Sequence, residues 1–375
     1  MDILDANMNT FFSNRNSLKK AQLNTLKFAT ALSASALVLL SGCGSSSSTD
    51  EAINSDTESQ ITLNFSAASQ GAEVSCDQLF TGFGPLRDNS IGIGDLRFYV
   101  SNLTFRNLDG DAIDVELADN DFQLNHEAGS VALIDFLDKG NSNTAVSDLC
   151  NAVSESTART NTHIIGTVTD TNIASVEFEI GVPQALMKTV IQSGSAEDAP
   201  SPLNELYWSW ASGYRHLVAN FTMMNSTYTS YVNNGAFHIG SRDCDGASGK
   251  ALTTENECGL LNTAKVVIND FDPATDTVNL DIAAAFAGLQ AADITSSEWA
   301  KIGTGTDEVD ESTCIQAPVD YGSSGRWCVI GERYGVQCHS GSTQSACASL
   351  FPNFGLDLAT GAADAASNVV FSKKP

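Results

Sequence analysis

The stretch "LTFRNLDGDAIDVEL", residues 103–117, decides the fold class. Apolar residues alternate with polar ones on both sides of Asp109–Gly110. Asp-Gly between two alternating runs is a strong short-range signal for a β-hairpin, because the tight turn needs residues that tolerate positive φ. Working outward, the same period-two pattern returns in "LRFYVSNLTF", "ITLNFSA", "VEFEIGV", "HLVANFTM", "AFHIG" and "KVVIND". Helical periodicity is sparse: "VALIDFLDK" (131–139) reads as a short helical turn and "LDIAAAFAGL" (280–289) as a helix. Many short strands with few helices predict a mainly β protein, an antiparallel β-sandwich.

The N-terminal residues read as an export label. Arg15, Lys19, Lys20 and Lys27 precede the apolar run "FATALSASALVLLSG". That run is shorter than the ~20 residues a membrane-spanning helix needs, but it suits the apolar centre of a signal peptide. "LSGC" (40–43) has the form of a bacterial lipobox, which would place a lipid on Cys43. Gly44 at the next position favours sorting to the outer membrane, on its periplasmic or surface face. Residues 1–43 are therefore expected to be a lipoprotein signal, 44–60 a Ser-rich tether, and 61–375 one domain. The stretch 291–336 has weaker periodicity and reads as an insertion.

Removing Cys43 from the nine cysteines leaves eight. In an exported chain an even count predicts a disulfide framework. Sequence neighbours suggest Cys244 with Cys258, Cys314 with Cys328, and Cys338 with Cys347, leaving Cys76 with Cys150. Forty-five acidic against nineteen basic residues give a net charge of −26, which repels phosphate backbones and makes nucleic acid a poor partner.

No enzyme signature is present: the sequence has no GxSxG, HExxH, P-loop or GxGxxG pattern. A non-enzymatic role is expected. The Asp-rich pieces "NLDGDAIDVE" and "NDFDPATDTVNLD" do not match an EF-hand loop and read as solvated turns. The metal-competent side chains are His126, His163, His216, His238 and His339, with Met187, Met223 and Met224. In "GAFHIGSRDC" (235–244), Phe237 and Ile239 are expected to face the core and His238 the other way. "NELYWSWASGYRHLVANF" (204–221) puts Trp208 and Trp210 at alternate positions, hence on one face of a strand.

The ordered motifs "LRFYVSNL" (96–103), "IGVP" (180–183), "SPLN" (201–204), "YWSWASGYRHL" (207–217), "FHIGSRDC" (237–244), Cys258 and "CHSG…C…LFPNFGLDL" (338–358) resemble the MbnP-like proteins, the four-Cys family of metallo-mystery pairs. The resemblance spans nearly all of 61–375. It implies that Cys244, Cys258, Cys338 and Cys347 are the four-Cys motif. It also implies copper, as Cu(I), held at a site containing kynurenine that a di-haem cytochrome c peroxidase-like partner makes from tryptophan. An indole N–H is a donor only and offers no lone pair to a metal. Opening its five-membered ring gives an aryl amine and a ketone, both able to donate electrons. His238 matches the histidine of the family's "HLGS" pattern and is the expected first ligand; Trp208 and Trp210 are both candidates for modification. The chain departs from the family in "GVPQALMKT", where Met187 and Lys188 stand in place of an Asn-His pair. Ser101 stands at a position that is His in some members, and His339 where methionine is common. The second ligand is therefore expected from Met187 or from His216. The competing expectation is a metal-free recognition sandwich on the cell surface.

Overall fold

A computed structural model describes residues 58–84, 87, 89–139, 150, 159–193, 199–208, 213–225, 231–244, 257–289, 295–303, 309–315, 318–320, 326–334 and 336–374. Cys43, Trp210 and the leader lie outside the described residues, as does the side chain of Met224.

The main elements, in chain order, are β1 (Ser59–Ser69), β2 (Asn89–Asn107), β3 (Ala112–Asp114), β4 (Val131–Asp135), β5 (His163–Val168), β6 (Ile173–Ile180), helix α1 (Gln184–Ser193), β7 (Tyr207–Trp208), β8 (Gly213–Asn225), β9 (Tyr231–Gly240), β10 (Ala264–Asn269), β11 (Thr277–Asp281), helix α2 (Ile282–Ala285), β12 (Gln337–His339), helix α3 (Ser345–Leu350) and β13 (Phe371–Lys374). One sheet runs β13–β11–β1–β5, and the larger runs β10–β6–β2–β8–β9–β12 with β4 also paired to β2. Most pairings are antiparallel as expected. Among the described strands two pairings are parallel, β1 with β11 and β9 with β12. Residues 295–302, 319–320 and 326–334 make a separate three-stranded sheet.

The Asp109–Gly110 hairpin forms as its sequence dictates. Asn107 Oδ1 accepts from the backbone N–H groups of Asp109 (3.0 Å) and Asp111 (2.9 Å), and Gly110 takes φ +87°. Beyond it, Thr104 pairs with Asp114 across β2 and β3. The second Asp-rich piece is likewise a turn, with Asp272 Oδ1 accepting from Ala274 N–H.

The core lies between the two sheets. Phe65 of β1 meets Phe98 of β2 and Phe178 of β6 edge-on at 6.0 and 5.9 Å, and Phe237 of β9 meets Phe354 at 5.5 Å. These contacts are the arrangement the ring quadrupoles favour. β2 sends Ile91 and Ile93, then Leu96, Phe98 and Val100, into this core. That shift of parity needs one extra residue, and it falls at Gly94: Phe221 of β8 opposes Ile93, and the next residue back, Asn220, opposes Asp95.

Two expected helices change character. Residues 131–135 are strand β4, buried throughout and paired with β2. The Asp135–Lys139 ion pair (2.7 Å) has helical i,i+4 spacing but spans the end of a strand. Burial on both sheet faces outweighs the weak helical pattern. In 280–289 only the four residues of α2 are helical, capped by Asp281 Oδ1 on Ala283 N–H (2.8 Å).

The structure joins Cys76 to Cys150, Cys244 to Cys258, Cys314 to Cys328 and Cys338 to Cys347.

Candidate metal centre

The outer face of the larger sheet, opposite the core, carries a row of residues in register across five strands. Asp135 (β4) pairs with Arg97 (β2), Arg97 with Val218 (β8), Val218 with His238 (β9), and His238 with His339 (β12). Period-two alternation turns all of them away from Phe98, Leu217, Phe237 and Ile239. As expected, then, His238 points opposite to Phe237 and Ile239.

His238 and His339 meet through their Nδ1 atoms, 3.0 Å apart. Their outer nitrogens are both fixed by side-chain amides: His238 Nε2 lies 2.8 Å from Asn220 Oδ1, and His339 Nε2 lies 2.7 Å from Gln337 Oε1. An amide oxygen only accepts, so each Nε2 carries the proton and each Nδ1 presents its lone pair. Two lone pairs brought this close repel one another, and a shared cation would relieve that repulsion. Two nitrogens 3.0 Å apart can both reach one ion at the ~2.0–2.1 Å of an imidazole–metal bond. The donor set therefore fits a metal.

Protonation of the pair is opposed. Burial, followed by His339, Arg215 and Arg97, holds the His238 imidazole well below its ordinary value. Burial, then Arg215 and Arg242, brings His339 down to about 4.

Trp208 forms the third side. Its ring centroid lies 6.4 Å from that of His238 and 6.1 Å from that of His339, and the residue is buried. The indole fits because residue 240 is glycine. A Cβ there would stand 2.7 Å from Trp208 Cζ3 and 2.6 Å from the Tyr214 carbonyl oxygen. β12 is a three-residue edge strand held at several points. Ser340 Oγ accepts from Gly240 N–H (2.8 Å) and donates to the His238 carbonyl (3.0 Å). Gln344 Oε1 accepts the His339 N–H (2.7 Å), Arg242 donates to the His339 carbonyl (3.0 Å), and the Cys338–Cys347 bridge adjoins them.

The two expected second ligands are placed differently. His216 has both nitrogens committed to backbone: Nδ1 accepts from Val182 N–H (3.3 Å) and Nε2 donates to the Leu261 carbonyl (2.9 Å). It has no lone pair left for a metal, and burial lowers it to about 4. Met187 is buried on α1 among Leu186, Leu203, Tyr214 and Val218, and its sulfur takes the Ser241 hydroxyl at 3.7 Å. His339 sits beside His238 instead. Among the other metal-competent side chains, His126 Nδ1 accepts from Ala128 N–H, His163 is exposed, and Met223 belongs to the main core. Among the described residues no group of three or more His, Cys, Asp or Glu side chains gathers for a metal.

Asn220 and Gln337 escaped the sequence reading. Their one signal is a polar residue at a same-face position near a histidine, Asn220 within "HLVANFTM" and Gln337 two residues before His339.

Beyond the pair, the row ends in a buried ionic cluster. Arg97 donates to both carboxylate oxygens of Asp95 (2.9 and 2.6 Å), and Lys139 bridges Asp135 (2.7 Å) and Asp95 (3.3 Å). Burial outweighs Lys139 at Asp135 and pushes its carboxyl up. Glu205 continues the cluster toward Arg97 and Arg159.

A search of curated proteins finds no match. Among solved structures, MbnP from Methylosinus trichosporium superimposes with a TM-score of 0.54 at 21% sequence identity, over 84% of this chain and 98% of that one. At that identity the likeness speaks for the fold. A family model described as MbnP matches residues 58–302, which include β1 through β11, Trp208 and His238. The chain belongs to the MbnP family.

Proposed function

We propose that this protein is an exported, lipid-anchored copper-binding protein whose Trp208 becomes a ligand after oxidative ring opening by a di-haem partner. One observation carries the reading: the Nδ1 atoms of His238 and His339 face each other at 3.0 Å with the Trp208 ring against both. The two neutral imidazoles would hold Cu(I), which is soft and content with few ligands. Trp208 supplies hydrophobic packing while intact and an aryl amine once opened, so one buried position serves before and after. In this reading the chain is the substrate of the oxidant and has no catalytic role of its own. The lipobox at Cys43 supports the anchor, and the exported setting agrees with four disulfides.

Peptide mass spectrometry of protein isolated from its native cells tests the modification. A ring-opened residue is expected at Trp208, and intact indoles at both Trp208 and Trp210 would defeat it. Copper titration tests the ligands: His238→Ala and His339→Ala are each expected to lose most of the affinity, and His216→Gln and Met187→Leu to keep it.

A further inference from the structure

We infer that Asn220 and Gln337 decide which ions the imidazole pair accepts, by fixing both rings in the Nε2–H tautomer without adding negative charge. The inference rests on the metal-binding reading and assigns selectivity to two residues that are not themselves ligands.

Metal-bound histidines usually donate their second N–H to a carboxylate, a backbone carbonyl or water. A carboxylate makes the ring more basic and brings a counter-charge for the ion. Here both acceptors are neutral side-chain amides, at 2.8 and 2.7 Å. The carboxylate nearest in register is Asp95, opposite Asn220 across β2 and β8. Its oxygens are taken by Arg97 and Lys139, so its charge is balanced where it stands. Among the described residues, Arg215 and Arg97 act on His238, and Arg215 and Arg242 on His339, with Arg97 itself balanced by Asp95.

The cost of burying an ion rises steeply with its charge when no counter-charge accompanies it. Two neutral imidazoles backed by neutral amides supply no counter-charge, and therefore penalise a doubly charged ion more than a singly charged one. The softer monovalent ions, Cu(I) and Ag(I), also accept low coordination numbers, whereas Zn(II) prefers four donors. The two amides thus supply orientation alone, and the site discriminates by charge.

The test uses the chain and its variants expressed in their native host, with silver(I) and zinc(II) as probes. Long-range proton–nitrogen NMR of the metal-free protein is expected to show Nε2–H tautomers at His238 and His339. Nδ1–H tautomers at either ring would overturn the inference without any variant. In competition titrations, wild type is expected to prefer silver. Asn220→Asp and Gln337→Glu should each move the silver-to-zinc ratio toward zinc by about tenfold or more. Near-UV circular dichroism selects variants that keep the fold, and Gln337→Glu lies on the edge strand where a charge is best tolerated. A ratio unmoved in folded variants overturns this inference and leaves the metal-binding reading standing. Wild type that binds neither ion overturns both.

Discussion

On one face of strands β2, β8 and β9, Phe98, Leu217 and Ile239 sink into the main core; on the other, Arg97, Val218 and His238 lie across the same three strands. Both faces are buried, but they are stabilised differently. The core face gains from area removed from water and from close packing, neither of which depends on a particular partner. The outer face depends on pairs: Arg97 needs Asp95, Lys139 needs Asp135, and each imidazole needs its amide. The same alternation builds both faces, yet only the second carries groups whose removal leaves a neighbour unsatisfied.

The largest effects should come from cutting each face at its centre. Phe237→Ala removes a ring with no exposed surface that meets Phe286, Phe351 and Phe354, and should cost about 3–5 kcal/mol. Arg97→Met should cost a similar ~3–5 kcal/mol because it strips the buried Asp95 of its bidentate partner. Denaturant unfolding separates the two cases through a second substitution. Adding Asp95→Leu to Arg97→Met should recover much of the loss, since a buried pair replaced by apolar residues is often neutral. No single neighbouring change should rescue Phe237→Ala. Equal rescue on both faces, or none on either, would erase the distinction.

This contrast also explains what the sequence discloses. The core face was legible because alternation and the Asp109–Gly110 turn specify it locally; three bridges join cysteines close in sequence, and Cys76–Cys150 is the pair these leave over. Half of the candidate site was legible: His238 and Trp208 sit in the motifs that carry the family resemblance. His339 is a metal-competent side chain, but nothing local in the sequence links it to His238. The two are 101 residues apart and meet only because β12 adds to β9 in parallel at the edge of the sheet. Asn220 and Gln337 are invisible for the same reason, since an amide's role depends on what lies across from it. His216 shows the same dependence on context: on the tryptophan strand it looks available until its backbone partners at Val182 and Leu261 are known. At 131–139, Asp135 and Lys139 mimic a helical pair and hide a strand.

A smaller effect should appear with acid. His216 and His339 are both brought down to about 4, each mainly by burial. Between the ordinary value near 6.5 and about 4, the unfolded chain takes up protons that the folded chain refuses. Stability should therefore be complete above pH ~6.5 and decline as pH falls to about 4. His216 alone should account for a loss of about 3 kcal/mol across that window. Melting temperatures of metal-free protein across this range should show the decline, and His216→Gln should flatten it. A curve of unchanged slope in that variant would mean that this imidazole takes up protons as readily in the fold as in the unfolded chain.

The smallest effect tests how closely the outer face is packed around the indole. Gly240 lies where β9 passes under Trp208, and a methyl group there would meet both the ring, at 2.7 Å, and the Tyr214 carbonyl, at 2.6 Å. The carbonyl is part of β8 and cannot rotate away, so the indole or the strand must shift. Overpacking of this kind costs about 1–3 kcal/mol. Gly240→Ala should lower stability by that amount and change the near-UV circular dichroism, because the ring loses its fixed position against His238 and His339. The core face offers a control in Gly235, where a Cβ would meet Phe221 ring atoms at 2.5–2.7 Å and no backbone atom is among the three nearest. A phenylalanine side chain can turn where a carbonyl cannot, so Gly235→Ala should cost less than Gly240→Ala. The reverse order would place the tighter packing in the main core and leave Trp208 loosely held.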